Sequence, residues 1–230
     1  SERPPKPLPA RGFTFPSYDT RTLPNGLQVV VVPHHEQPAV TLQLLVRAGS
    51  AQDPADRAGV AGMAAALLDQ GTTGRAAREI ADAIDSIGGT LEVLTGTDLT
   101  FARVAVMKDS FGVALELLSD ICRNPAFSDD EMTRQRQQLR SALRVTYDDP
   151  DHVADAVFKR VVYGSHPYGL PGSGTPASIE RITRDDLVRF HERYFVPNNS
   201  LLAVVEYRLT GGLPGAFDSR VDTSIALSNL

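Results

Sequence analysis

The run from Gly59 to Thr72 reads Gly-Val-Ala-Gly-Met-Ala-Ala-Ala-Leu-Leu-Asp-Gln-Gly-Thr, and no other stretch constrains the fold as tightly. Val60, Met63, Ala64, Leu67 and Leu68 recur at the i, i+3, i+4, i+7, i+8 spacing that lines one side of an α-helix. Between them stand Gly62, Ala65 and Ala66, whose side chains can neither bind a metal nor move a proton. Gly71 sits where a glycine commonly ends a helix, because the left-handed conformation is open to it.

The flanking pattern is α+β. Residues 27–32 and 40–46 are β-branched and apolar, and they are predicted as two strands joined by a turn at His34-His35-Glu36-Gln37-Pro38. A second helix over residues 76–87 ends at Gly88-Gly89. Strands over 90–94 and 99–106 follow, joined around Gly96. Helices are predicted over 110–122 and from 129 to about 147, the latter announced by a capping box of Ser128 and Glu131. Asp148-Asp149-Pro150 interrupts the pattern before a helix over 152–162. Thr183 with Asp186 opens another helix to about 194, and residues 200–205 read as a last strand. Strands joined by hairpins, without regular βαβ crossovers, predict a mostly antiparallel sheet covered by helices on one face.

Composition narrows the function. A net charge of −5 offers no basic surface for nucleic acid. No apolar run reaches the 18 or so residues of a membrane span. The single Cys122 excludes an intrachain disulfide framework and reads as a small buried hydrophobe, which leaves the compartment unread. A bacterial periplasmic or secreted location is the expectation, with mitochondrial and cytoplasmic locations left open. The opening Ser-Glu-Arg-Pro-Pro, without Met, is expected of a processed or recombinant N-terminus. Residues 1–19 read as a Pro-rich extended leader, with a proline-motif ligand as the alternative. Residues 206–230 show no clear period and read as a divergent or truncated tail after a domain spanning 20–205.

Other candidate chemistry is weak. His191-Glu192 has Phe195, not a second His, at i+4, and His191 is expected on the surface at a helix end. His34-His35-Glu36 lies in a turn, where adjacent residues do not converge on a metal. His166, before Pro167, is expected to be structural. The loop Gly169-Leu170-Pro171-Gly172-Ser173-Gly174-Thr175 lacks the Lys of a phosphate-binding loop and has no strand directly before it. No Gly-x-Ser-x-Gly elbow occurs.

The 59–72 helix closely resembles the signature helix of insulinase/pitrilysin-type zinc peptidases, a family that includes the mitochondrial processing peptidases. The family pattern is Gly-Leu-Ala-His-x-x-Glu-His, later followed by Gly-Thr; its two His bind Zn²⁺ and its Glu activates water. Residue by residue, the first His falls on Gly62, the Glu on Ala65 and the second His on Ala66. The third ligand, a Glu on a later helix, falls on Ala142, and an upstream acidic position on Gln135. Further markers in the family order are Arg21-Thr22-Leu23-Pro24-Asn25-Gly26-Leu27, Val46-Arg47-Ala48-Gly49-Ser50, Asn124-Pro125-Ala126-Phe127, His166-Pro167-Tyr168-Gly169 and Tyr194-Phe195-Val196-Pro197-Asn198-Asn199. The resemblance runs from about residue 20 to 205.

What the resemblance implies is one half of a two-half peptidase, with no catalytic residue, no metal ligand and no cofactor of its own. The expected role is to pair with a zinc-bearing subunit or half, or failing that with itself, and so close a peptide-processing chamber. In the family an edge strand after the second helix pairs with the peptide main chain; the corresponding residues are Glu92, Val93 and Leu94, with Glu92 where the family often has Asn. A peptide-binding module without proteolysis is the alternative. An active hydrolase using unusual residues, or a metal site relocated to Asp69, stands behind both.

Overall fold

The computed structural model describes residues 15–33 and 38–206. His34, His35, Glu36, Gln37, the leader up to residue 14 and the tail from residue 207 lie outside the described residues. Six strands form one sheet: β1 (Asp19–Thr22), β2 (Gln28–Pro33), β3 (Ala39–Val46), β4 (Thr90–Thr95), β5 (Thr100–Met107) and β6 (Ser200–Glu206), in the order β1-β2-β6-β3-β5-β4. Seven α-helices accompany them: α1 (Val60–Leu67), α2 (Ala77–Ser86), α3 (Phe111–Arg123), α4 (Asp129–Tyr147), α5 (Pro150–Tyr163), α6 (Pro176–Arg181) and α7 (Arg184–Tyr194).

The sheet is mostly antiparallel, as the pattern predicts, but β2 and β3 are not a hairpin. β6 inserts between them, parallel to β2 and antiparallel to β3. Both strands are too apolar to lie at an exposed edge, and β6 supplies each with a backbone partner; Leu44 and Val29 both stand level with Leu202. The short strand β1, four exposed residues with no apolar alternation, was not expected from the sequence.

Alternation along β3 sends Val40, Leu42, Leu44 and Val46 into the helix layer, where each is at most 4% exposed. The periodic set of α1 meets them there: Val60, Met63, Ala64, Leu67 and Leu68 are all 1% exposed or less. One continuous core joins this helix to α3, α4, α6 and α7.

Two helix starts differ from expectation. Ser128 does occupy the N-cap of α4, yet its side chain makes no capping bond, and Glu131 turns to Arg134 instead. Within the glycine-rich loop region, α6 was missed; Thr175 and Ser178 form its capping box, and Arg136 of α4 donates to the carbonyls of Ile179 and Ile182. The predicted box at Thr183 and Asp186 is present.

Candidate functional site

The N-terminus of α1 is fixed from outside the helix. Gly59 is its N-cap with φ +101°, and a side chain there would meet Ile179 Cδ1 at 2.7 Å. A glycine has no capping side chain, so the acceptor comes from Asp53: its carboxylate accepts from Gly59 N at 2.7 Å and from Ala61 N at 2.8 Å. Burial pushes the Asp53 carboxyl up to about 6, against those hydrogen bonds, which favour its ionised form.

From that anchor α1 runs against β4, α4 and α7. Gly62 and Ala66 are half-buried, and Ala65 is 3% exposed. Gly62 faces Thr95 of β4: a Cβ on Gly62 would stand 3.8 Å from Thr95 Cγ2. Thr95 in turn shares a 2.9 Å hydrogen bond with buried Thr100, whose hydroxyl donates to the Ala48 carbonyl. Ala142 is exposed on α4 and Gln135 half-buried on the same helix.

The helix that resembles the zinc-peptidase signature is therefore present, with no side-chain donor atom at Gly62, Ala65 or Ala66. Zn²⁺ takes His, Cys or carboxylate ligands. Among the described residues no group of three or more His, Cys, Asp or Glu stands where it could hold a metal ion. The residues present do not fit the family's zinc. Asp69, the candidate for a relocated site, accepts from the Gln70 amide, and its carboxylate neighbour in the adjoining groove, Glu131, is ion-paired to Arg134. That groove, about 530 Å³, opens between the end of α1, α2, β4 and the start of α4; Ile80, Ile84 and Leu91 supply its apolar lining.

Glu92, Val93 and Leu94 lie on β4, the edge strand of the sheet beyond β5. Leu91, Val93 and Thr95 pair with buried Val104, Ala102 and Thr100, so they face the helices; Glu92 and Leu94 face the other way and are exposed. The turn between β4 and β5 is held by the Gly49-Ser50 corner. Ser50 N and Ala51 N donate to the carbonyls of Gly96 and Thr97, and a Cβ at Gly49 would lie 2.3 Å from the Gly96 oxygen. Only glycine permits that approach. Tyr168 of the His-Pro-Tyr-Gly segment braces the same turn by donating to Asp98, while His166 Nδ1 accepts from the Tyr168 amide.

His191 is not the surface residue expected of it. Its ring is stacked on Phe195 with centroids 4.9 Å apart, its Nε2 lies 2.7 Å from the Cys122 carbonyl, and burial lowers its pKa. Partners on other elements cover it, which helix position alone does not reveal. Cys122 itself is buried and its thiol is pushed up to about 12 by desolvation, an unreactive hydrophobe.

The profile of the insulinase family, peptidase family M16, matches residues 28–175. The chain belongs to the insulinase family. It is 31% identical over 183 residues to an uncharacterized zinc protease of Mycobacterium leprae, covering 80% of this chain and 41% of that protein. A second uncharacterized zinc protease, from Rickettsia bellii, is 27% identical over 82% of this chain and 46% of its own length. Among solved structures, the peptidase M16 inactive domain of Pseudomonas fluorescens superposes with a TM-score of 0.84 at 25% identity, over 93% of this chain and 51% of that one. A Helicobacter pylori protease superposes with a TM-score of 0.80 at 26% identity, over 86% of this chain and 48% of that one. This insulinase-family chain thus spans about half the length of the proteins it matches.

Proposed function

We propose that this chain is a non-catalytic insulinase-family half that pairs with a zinc-bearing subunit or half and forms one wall of a peptide-processing chamber. The observation that carries the reading is the set Gly62, Ala65, Ala66 and Ala142: four positions of the family's metal and base groups without a donor atom, on two helices that pack together in an otherwise complete frame. Loss of one ligand leaves a damaged enzyme. Absence of all of them, in a chain whose α1 is anchored by Asp53 and whose β4–β5 turn is held at Gly49, fits an architectural part.

Two further observations support it. The chain corresponds to about half of its relatives, and a solved M16 domain of the same fold is described as inactive. The edge position of β4 gives Glu92, Val93 and Leu94 the main-chain groups that an extended peptide would need to add a strand. This second observation also favours the alternative, a peptide-binding module that works without proteolysis.

The two readings separate in one experiment. The chain is co-expressed with a homologue that carries an intact His-x-x-Glu-His helix, and the mixture is resolved by size exclusion with light scattering and assayed for peptide cleavage. A hetero-complex that cleaves faster than the zinc chain alone supports pairing. Peptide affinity with no complex and no change in cleavage supports the binding module.

A further inference from the structure

Leu91 belongs to two features at once, the edge strand β4 and the apolar lining of the groove beside α2. Gly96 N donates to the Leu99 carbonyl, and the alternation of an antiparallel ladder then commits the main-chain groups of Leu94 and Glu92 to β5. Those of Thr95, Val93 and Leu91 turn outward. The 2.9 Å hydrogen bond between the Thr95 and Thr100 hydroxyls agrees, because side chains stand closest in pairs that exchange no main-chain bonds. β4 is the last strand of the sheet, so among the described residues no strand meets these outward groups.

A peptide that adds to this edge bonds to Leu91 and Val93. The residue it sets level with Leu91 projects its side chain to the same face as Leu91, beside it. That is the helix face, since Leu91 stands opposite buried Val104. The next residue of the peptide points to the other face, with Glu92. One side chain of the bound strand is therefore delivered to the groove.

The chemistry of the groove decides which side chain it holds. Buried Ile80 and Ile84 form its floor together with Leu91, and its volume of about 530 Å³ has room for leucine or phenylalanine. The charges around it are answered locally. Glu131 pairs with Arg134, which also donates to Gln70; Gln70 donates to Asp69; Arg78 lies 3.5 Å from Asp82. The two carboxylates and two guanidinium groups of the lining offset one another, so no net charge draws in an ionised side chain. An ionised side chain would exchange water for an apolar floor, whereas a large apolar one gains by leaving water.

We infer that the groove between α1, α2 and α4 is a specificity subsite for an extended peptide, taking the large apolar side chain, leucine or phenylalanine, of the residue level with Leu91. The inference rests on the reading of β4 as a peptide-binding edge and adds the residue type selected there.

The test is fluorescence polarisation of labelled octapeptides of Ser and Ala with one central guest residue, titrated with the full 230-residue chain. Leu and Phe guests are expected to bind at least about tenfold tighter than Gly, Asp or Lys guests. Ala81 lines the groove from an exposed position of α2, so Ala81→Phe fills it from the rim. That variant is expected to cut the preference below about threefold, with circular dichroism unchanged. Val93→Pro removes an outward N–H from an edge strand, where proline is tolerated, and is expected to abolish binding of every peptide. Binding that Val93→Pro abolishes, but that shows no guest preference or one that Ala81→Phe leaves intact, overturns the subsite and leaves the edge reading standing. No binding by any peptide, or binding that Val93→Pro leaves intact, overturns both.

Discussion

Gly62 of α1 points at Thr95 of β4, and the 3.8 Å between a Cβ at 62 and Thr95 Cγ2 is ordinary van der Waals distance. The position that the resemblance assigns to the family's first metal ligand is thus open to a larger residue, yet holds glycine, which after proline costs a helix interior most. Gly62→Ala is expected to stabilise the chain by about 0.5–1 kcal/mol, because the methyl group meets no clash and the unfolded chain loses freedom. Equilibrium urea unfolding measures it. A destabilised Gly62→Ala would mean that α1 and β4 are closer than the structure places them.

Ala65 behaves oppositely. At 3% exposure its side chain has almost no contact with the water that a carboxylate would need. Ala65→Glu is expected to lower stability by about 2 kcal/mol or more, as an uncompensated carboxyl taken into the core. The loss should shrink at low pH, where the introduced group is neutral. An unchanged midpoint at neutral pH would show that the site is open.

Asp53 gives α1 a pH dependence. Its carboxyl is raised from an ordinary value of 3.8 to about 6, so between those limits the folded chain holds a proton that the unfolded chain has released. Stability from this group is therefore fully present below about pH 4, falls as pH rises toward 6 and is flat above, a span of about 3 kcal/mol. Between about pH 4 and 6 the wild-type urea midpoint should fall relative to that of Asp53→Asn, and above about pH 6 the two should run parallel. Parallel curves throughout would remove the claim.

Thr100 is 1% exposed, and its hydroxyl links Ala48 to Thr95 at the end of the edge strand. Thr100→Val is expected to cost about 1–3 kcal/mol by leaving the Ala48 carbonyl without that donor. Amide exchange should accelerate in β4 more than in β3, since β4 has a strand on one side only. Equal acceleration in both strands would place the damage elsewhere.

Most of the fold was legible where local pattern decides it. The five periodic residues of α1 all reached the core, and the helices from α2 to α5 and α7 lie within a few residues of their sequence limits. What sequence could not supply was partnership at long range. Nothing in residues 200–205 says that they run parallel to β2, and nothing around His191 says that Phe127, Phe195 and Cys122 enclose it. The short elements β1 and α6 carry too few residues for a period to show. That Gly62, Ala65, Ala66 and Ala142 carry no side-chain donor atom was legible directly, because it is a matter of residue type. Asp53, by contrast, caps a helix from six residues before its N-cap, a spacing outside any capping pattern.

With no side-chain donor at Gly62, Ala65, Ala66 or Ala142, the α1–α4 frame is expected to hold no zinc. The most direct test is elemental analysis of the untagged chain after equilibration with zinc and exhaustive dialysis, beside the variant Gly62→His/Ala66→His/Ala142→Glu. Well below one zinc is expected per wild-type chain, with a gain in bound zinc when the three ligands are installed. One zinc retained per wild-type chain, and lost on mutating Asp69 or Glu131, would contradict it.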